Sequence, residues 1–243
     1  MAKKAVKKSN KIKWFLGLLA VMYGVHAACA SYANRPSSDA YAMGRSIKIL
    51  GKGGQCSGEQ VESYSGHTYI LSAAHCAKLA DAAGYYTVFT EDGRKLQRRL
   101  IAEDSNSDLL LIEGVPGLQG LKIAESHWRF EHIRTLTHGA GMDTYKTEGA
   151  LVQIMTISIA VGIVDASSLP CTDVKYRIVQ EDLFAVCVLH IPEAVSTAKV
   201  SPGISGGMVI DDDGALVAVV SASDEHFSYL VPLEAIRAFL IGY

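Results

Sequence analysis

Three short stretches of this 243-residue chain carry side chains that can act together on a carbonyl. In Tyr69-Ile70-Leu71-Ser72-Ala73-Ala74-His75-Cys76 an apolar segment runs into a small-residue turn that presents His75. In Asp104-Ser105-Asn106-Ser107-Asp108 two aspartates stand ahead of the apolar run 109–112. In Ser201-Pro202-Gly203-Ile204-Ser205-Gly206-Gly207 a serine sits in a glycine-rich turn. A serine hydroxyl becomes a useful nucleophile when a neighbouring base accepts its proton, which His75 can do for Ser205. The imidazole then needs a carboxylate to hold its other nitrogen and balance its developing charge; Asp104 and Asp108 both compete for that role. A turn around Gly203 can aim the backbone amides of Gly203 and Ser205 at one oxyanion, and glycine permits the unusual backbone angles this requires. Each stretch alone has an ordinary structural explanation. Together they point to acyl transfer.

The elements that must position these groups read as strands. Short apolar runs at 46–50, 68–72, 85–90, 109–112, 151–163, 184–191, 208–210 and 216–221 are separated by turn signals such as Glu91-Asp92-Gly93 and Asp211-Asp212-Asp213-Gly214. Many short strands with Gly and Asp turns predict an all-β sandwich or barrel. The run 151–163 is long enough for a buried helix, but Thr156, Ile157, Ile159, Val161 and Ile163 favour strand. Leu233, Ile236 and Leu240 fall at helical spacing, so a short helix closes the chain over 232–240. Residues 31–44, small, polar and proline-containing, read as a linker.

Composition fits a folded body with an export signal. Hydrophobic residues at 49% and charged residues at 20% exclude a disordered chain. The net charge of −2 is an average of two unlike parts. Six lysines (Lys3, Lys4, Lys7, Lys8, Lys11, Lys13) lie in the first 30 positions with no acid, leaving a net of −8 for residues 31–243. No basic patch for nucleic acid follows from that balance. The lysines lead into residues 14–30, free of Asp, Glu, Lys and Arg and ending in Ala28-Cys29-Ala30. This pattern predicts a signal peptide over 1–30 and a secreted or periplasmic protein. The alternative is a retained N-terminal membrane anchor with the domain outside the cytoplasm; 17 residues is the short limit for a span, and His26 disfavours a clean one. Cys56, Cys76, Cys171 and Cys187 remain in the body, and an exported chain uses such cysteines in disulfides by default.

The Ser-Ala-Ala-His-Cys and Gly-Ile-Ser-Gly-Gly segments, in the order His, Asp, Ser, resemble the trypsin/chymotrypsin-like serine peptidases, including their bacterial branch. The resemblance covers roughly residues 44–243. It implies a chymotrypsin-like fold of two six-stranded antiparallel β-barrels, about 45–125 and about 126–243, with a short C-terminal helix. It places the aspartate directly before the apolar strand, which selects Asp108, and makes His75, Asp108 and Ser205 the catalytic triad with Gly203 and Ser205 as the oxyanion hole. It pairs Cys56 with Cys76, and with these two joined Cys171 is left to pair with Cys187. Ser221, Ala222 and Ser223 resemble the strand lining the primary specificity pocket, whose serine contacts the catalytic aspartate, and Gly139-Ala140-Gly141 resembles a loop that buttresses the oxyanion turn.

Two departures matter. Ile204 stands where trypsin and chymotrypsin carry an aspartate that pairs with a new N-terminus, so no zymogen switch of that kind is expected. The Ser-Pro-Gly-x-Ser-Gly-Gly turn is closer to the HtrA-like bacterial enzymes. Lys199, six residues before Ser205, occupies the family's pocket-floor position; an inward lysine would favour acidic substrates, whereas a solvated loop lysine is the ordinary reading. The resulting expectation is an exported serine endopeptidase acting on protein or peptide through an acyl-enzyme, without metal or organic cofactor. Its rivals are a catalytically silent peptide-binding relative and a membrane-anchored quality-control partner.

Overall fold

Two groups of strands form, one before and one after residue 125. The computed structural model describes residues 37–51, 53–127, 131–138, 145–161, 173–179, 182–201, 203–224 and 226–243, and only the backbone of those between 153 and 193. The first group comprises β1 (Ser46–Gly51), β2 (Gly54–Glu62), β3 (Thr68–Ser72), β4 (Tyr85–Thr90), β5 (Lys95–Asp104) and β6 (Leu109–Glu113). They close into an antiparallel barrel in the order β1-β2-β3-β6-β5-β4.

The second group comprises β7 (His132–Thr137), β8 (Tyr145–Val161), β9 (Asp173–Val179), β10 (Asp182–Ser196), β11 (Met208–Ile210), β12 (Leu216–Ser223) and β13 (Ser228–Pro232). Pairing of β13 with β10 closes six of these into a second barrel, and β9 adds a seventh strand along the first half of β10. Of the run 151–163, residues 151–161 are strand, within β8; 162 and 163 lie outside the described residues.

The continuous apolar runs have a physical reason: their strands are buried on both faces. In β6, Leu110 and Ile112 face the first barrel's interior with Ile47, Ile70, Tyr86 and Val88. Leu109 and Leu111 face outward and pack with Leu71 against Leu136, Met208 and Val219 of the second barrel. This inter-barrel layer also takes Ile236 and Leu240 of a C-terminal helix (Leu233–Leu240) that closes the chain as its spacing predicts. Ile204, beside the serine turn, is buried in the second barrel's interior with Ile133, Val209 and Val220.

One segment departs from the sequence reading. Ser38–Met43, within the stretch read as linker, is α1 (the C-terminal helix becoming α2), and Ala42 is buried in the inter-barrel layer. Asp39 is what holds it down: its carboxylate accepts hydrogen bonds from Arg134 Nη1 and, at 2.7 Å, from Lys146 Nζ. At six residues the segment is too short to hold as a helix alone; it owes its helix to these tertiary contacts and to Tyr41 and Met43, which pack against the same layer.

Candidate active site

The end of β3 delivers His75. After Ser72 the chain turns through extended Ala73 into a 3-10 helix, Ala74–Leu79, whose small residues Ala74 and Cys76 are buried while the His75 side chain stays 41% exposed. A disulfide joins Cys76 to Cys56 of β2 and ties this turn to the barrel wall. Both sulfurs lie close to the His75 ring, but each is spent in the disulfide and offers no thiolate to a metal.

The turn between β5 and β6 delivers Asp108. It is the single non-glycine residue at positive φ (53°) among the described residues, a conformation that Asp tolerates better than most. His75 Nδ1 lies 3.0 and 3.1 Å from its two carboxylate oxygens, and the His75 backbone N–H donates to Oδ1 at 3.0 Å. Ser221 Oγ donates to Oδ2 at 2.5 Å. Burial pushes this carboxyl up, but the hydrogen bonds from His75 and Ser221 outweigh it and hold it below its ordinary value. Asp104, the competitor, is used locally: it accepts from the Asn106 N–H at 3.0 Å and from Ser107 Oγ, shaping the turn.

The turn between β10 and β11 delivers Ser205. Its Oγ donates to the carbonyl of Ser221 at 3.4 Å, and among the described residues it makes no hydrogen bond to His75. Ser221 therefore links two of the three predicted residues, its hydroxyl on Asp108 and its carbonyl on Ser205, and His75 joins them through Asp108. The N–H groups of Gly203 and Ser205 donate to no protein acceptor among the described residues, and Gly203 has φ of 88°.

The peptide following Ser205 is held from both sides. Its C=O accepts from the Ser57 N–H of β2 at 2.8 Å, and its N–H, that of Gly206, donates to Val220 O of β12 at 2.7 Å. A Cβ on Gly206, itself at φ 79°, would lie 2.2 Å from Ser72 Oγ and 2.3 Å from Ser57 O; one on Gly207 would lie 2.8 Å from Thr137. Glycine is required here by close approach. Ser57 and this reason for Gly206 escape a reading by motif; the signals available are the adjacency of Ser57 to Cys56 and the place of Ser72 at the head of Ser-Ala-Ala-His-Cys.

The other predicted residues are more loosely placed. Ala222 and Ser223 are exposed at the end of β12, beside Ser221. Lys199 is exposed, and what the structure fixes is its carbonyl, which accepts from Tyr145 Oη at 2.7 Å. Gly139-Ala140-Gly141 and Cys171 lie outside the described residues, as does the side chain of Cys187, so the second predicted disulfide does too.

The family model for the trypsin-like peptidase domain matches residues 56–219. Among solved structures, the Rv3671c protease in an inactive form is similar to 84% of this chain and 91% of that one, with a TM-score of 0.62 and 16% identity. A serine-to-alanine mutant of Rv3671c from M. tuberculosis H37Rv gives 86% and 90%, 0.62 and 17%. A serine endoprotease from Yersinia pestis gives 86% and 67%, 0.59 and 14%. At such identities these likenesses concern the fold. No curated protein matches the chain.

Proposed function

Since the chain belongs to the trypsin-like peptidase domain family and is a serine endopeptidase, we propose that Ser205, His75 and Asp108 are its catalytic triad and that it works outside the cytoplasm. The observation that carries the triad is the convergence on Ser221, which binds Asp108 through its hydroxyl and Ser205 through its carbonyl. Asp108 accepts a hydrogen bond from His75 Nδ1–H, which leaves Nε2 free to act as base. The reaction requires Ser205 Oγ to leave the Ser221 carbonyl for that nitrogen, and catalytic hydrogen bonds commonly tighten only when substrate is bound.

Chemistry then proceeds in two halves. Ser205 Oγ attacks the peptide carbonyl while His75 takes its proton, and the resulting oxyanion is received by the N–H groups of Gly203 and Ser205. His75 returns the proton to the leaving amine, giving an acyl-enzyme. Water, activated by the same imidazole, releases the acid. Hydrolysis of labelled casein by the exported protein tests this reading. Loss of activity in each of Ser205→Ala and His75→Ala is the expected outcome; turnover unchanged in either would refute it.

Export is supported by the lysine-led apolar segment 1–30 and by a body that carries a Cys56–Cys76 disulfide, a bond that persists in oxidising compartments. The 17 uncharged residues at 14–30 favour a second reading, a retained anchor. The intact mass of the exported protein separates the two: loss of residues 1–30 means cleavage. The exposed Lys199 favours a pocket that does not select acidic side chains, so a peptide-library cleavage profile is expected to be the same for Lys199→Ala and the parent protein.

A further inference from the structure

Ser57 makes three contacts that no part of the triad chemistry uses. It is fully buried in β2, on the strand face turned toward the second barrel. Its N–H donates to Ser205 O at 2.8 Å. Its C=O accepts from Ser72 Oγ at 2.6 Å, and Ser72 lies three residues before His75. Its own hydroxyl donates to His138 O at 3.1 Å, at the end of β7 in the other barrel. The same carbonyl of His138 accepts from Gln55 Nε2 at 3.1 Å. One buried residue thus touches the peptide after the nucleophile, the strand that leads to the base, and the second barrel at the entrance to Gly139-Ala140-Gly141.

The backbone contacts of Ser57 are open to any residue. The hydroxyl is not. A serine there anchors β2 to β7 beside Gly207, which is pressed against Thr137 of the same strand. Without the hydroxyl, β2 keeps its grip on Ser205 O and the part-buried bond from Gln55 to the His138 carbonyl, but loses the buried bond made at Ser57 itself, and Ser205 and His75 are then registered to each other less tightly. Small misplacements of reacting groups lower rates steeply while leaving binding nearly intact.

Building on the triad reading, we propose that Ser57 is a positioning residue: its hydroxyl, bonded to the His138 carbonyl, fixes the nucleophile turn relative to the histidine turn across the barrel junction. Inactivation by diisopropyl fluorophosphate reads this directly, because it separates reagent binding from reaction at Ser205. Ser57→Ala is expected to lower the limiting inactivation rate about tenfold or more, with the half-saturating reagent concentration unchanged. Ser57→Gly, which removes the same bond without leaving a methyl group, is expected to do the same, and decides the matter if the alanine variant fails to fold. A limiting rate within twofold of the parent in either folded variant overturns the proposal, as does a change confined to half-saturation. A parent protein that does not react at all overturns the triad reading and this inference with it; a reactive parent with unaffected variants overturns this inference alone.

Discussion

Asp108 shows what a single residue gives up to hold an imidazole in place. It adopts a left-handed backbone at φ 53° and spends its carboxylate on the His75 ring, the His75 N–H and Ser221 Oγ. Asp108→Asn keeps the shape but favours the wrong imidazole tautomer, and is expected to lower kcat by roughly 10³–10⁴-fold in a peptide-hydrolysis assay. The same carboxyl links stability to pH. Its value is lowered in the fold, so its stabilising contribution is complete above the value of an unfolded Asp, about 3.9. That contribution is lost as pH falls through the lower folded value. Urea midpoints followed from pH 6 downward are expected to show the gap between the parent and Asp108→Asn closing only below the ordinary carboxylate range.

At the scale of elements, two turns are seated against strands with no room to spare. Gly206→Ala would bring a methyl group onto Ser72 Oγ and Ser57 O. Overpacking of this kind costs roughly 1–3 kcal/mol, and the left-handed backbone adds about 1–2. Thermal unfolding is expected to report that loss together with loss of activity. Replacing Cys56 and Cys76 together by alanine removes a cross-link over a sequence separation of 20 and is expected to cost about 3 kcal/mol in urea denaturation. Elements buried on both faces were legible as continuous apolar runs, β6 and β11 above all. Strand β2 was not: Gly-Gln-Cys-Ser-Gly-Glu-Gln-Val-Glu reads as polar. Its polarity is absorbed by particular partners, as when Gln60 bonds the backbone of Val115 and Leu118. Strand β5 hides a regular alternation behind long charged side chains, and helix α1 exists through Asp39, whose partners lie far down the chain. The proposed triad was legible because motif and order carry it; the role proposed for Ser57 was not, because it arises only where the two barrels meet.

The molecule as a whole depends on that junction, and one group inside it opposes it. Glu59 is fully buried, shares the inter-barrel face with its cross-strand neighbour Leu71, and neither of its carboxylate oxygens has a partner among the described residues. Burial pushes its carboxyl well above the usual range, so the folded protein holds a proton there that the unfolded chain releases near pH 4.3. Stability therefore falls as pH rises from that value toward the folded one. Glu59→Gln removes the titration, and the difference in Tm, variant minus parent, is expected to be larger at about pH 8 than at about pH 5. Above all, the junction is proposed to present Ser205 as a nucleophile. Labelling the folded protein with a fluorophosphonate and mapping the adduct by mass spectrometry tests it most directly. One adduct is expected, on Ser205, absent from Ser205→Ala and formed far more slowly in His75→Ala. An adduct on another residue, or a folded parent protein left unlabelled, would contradict it.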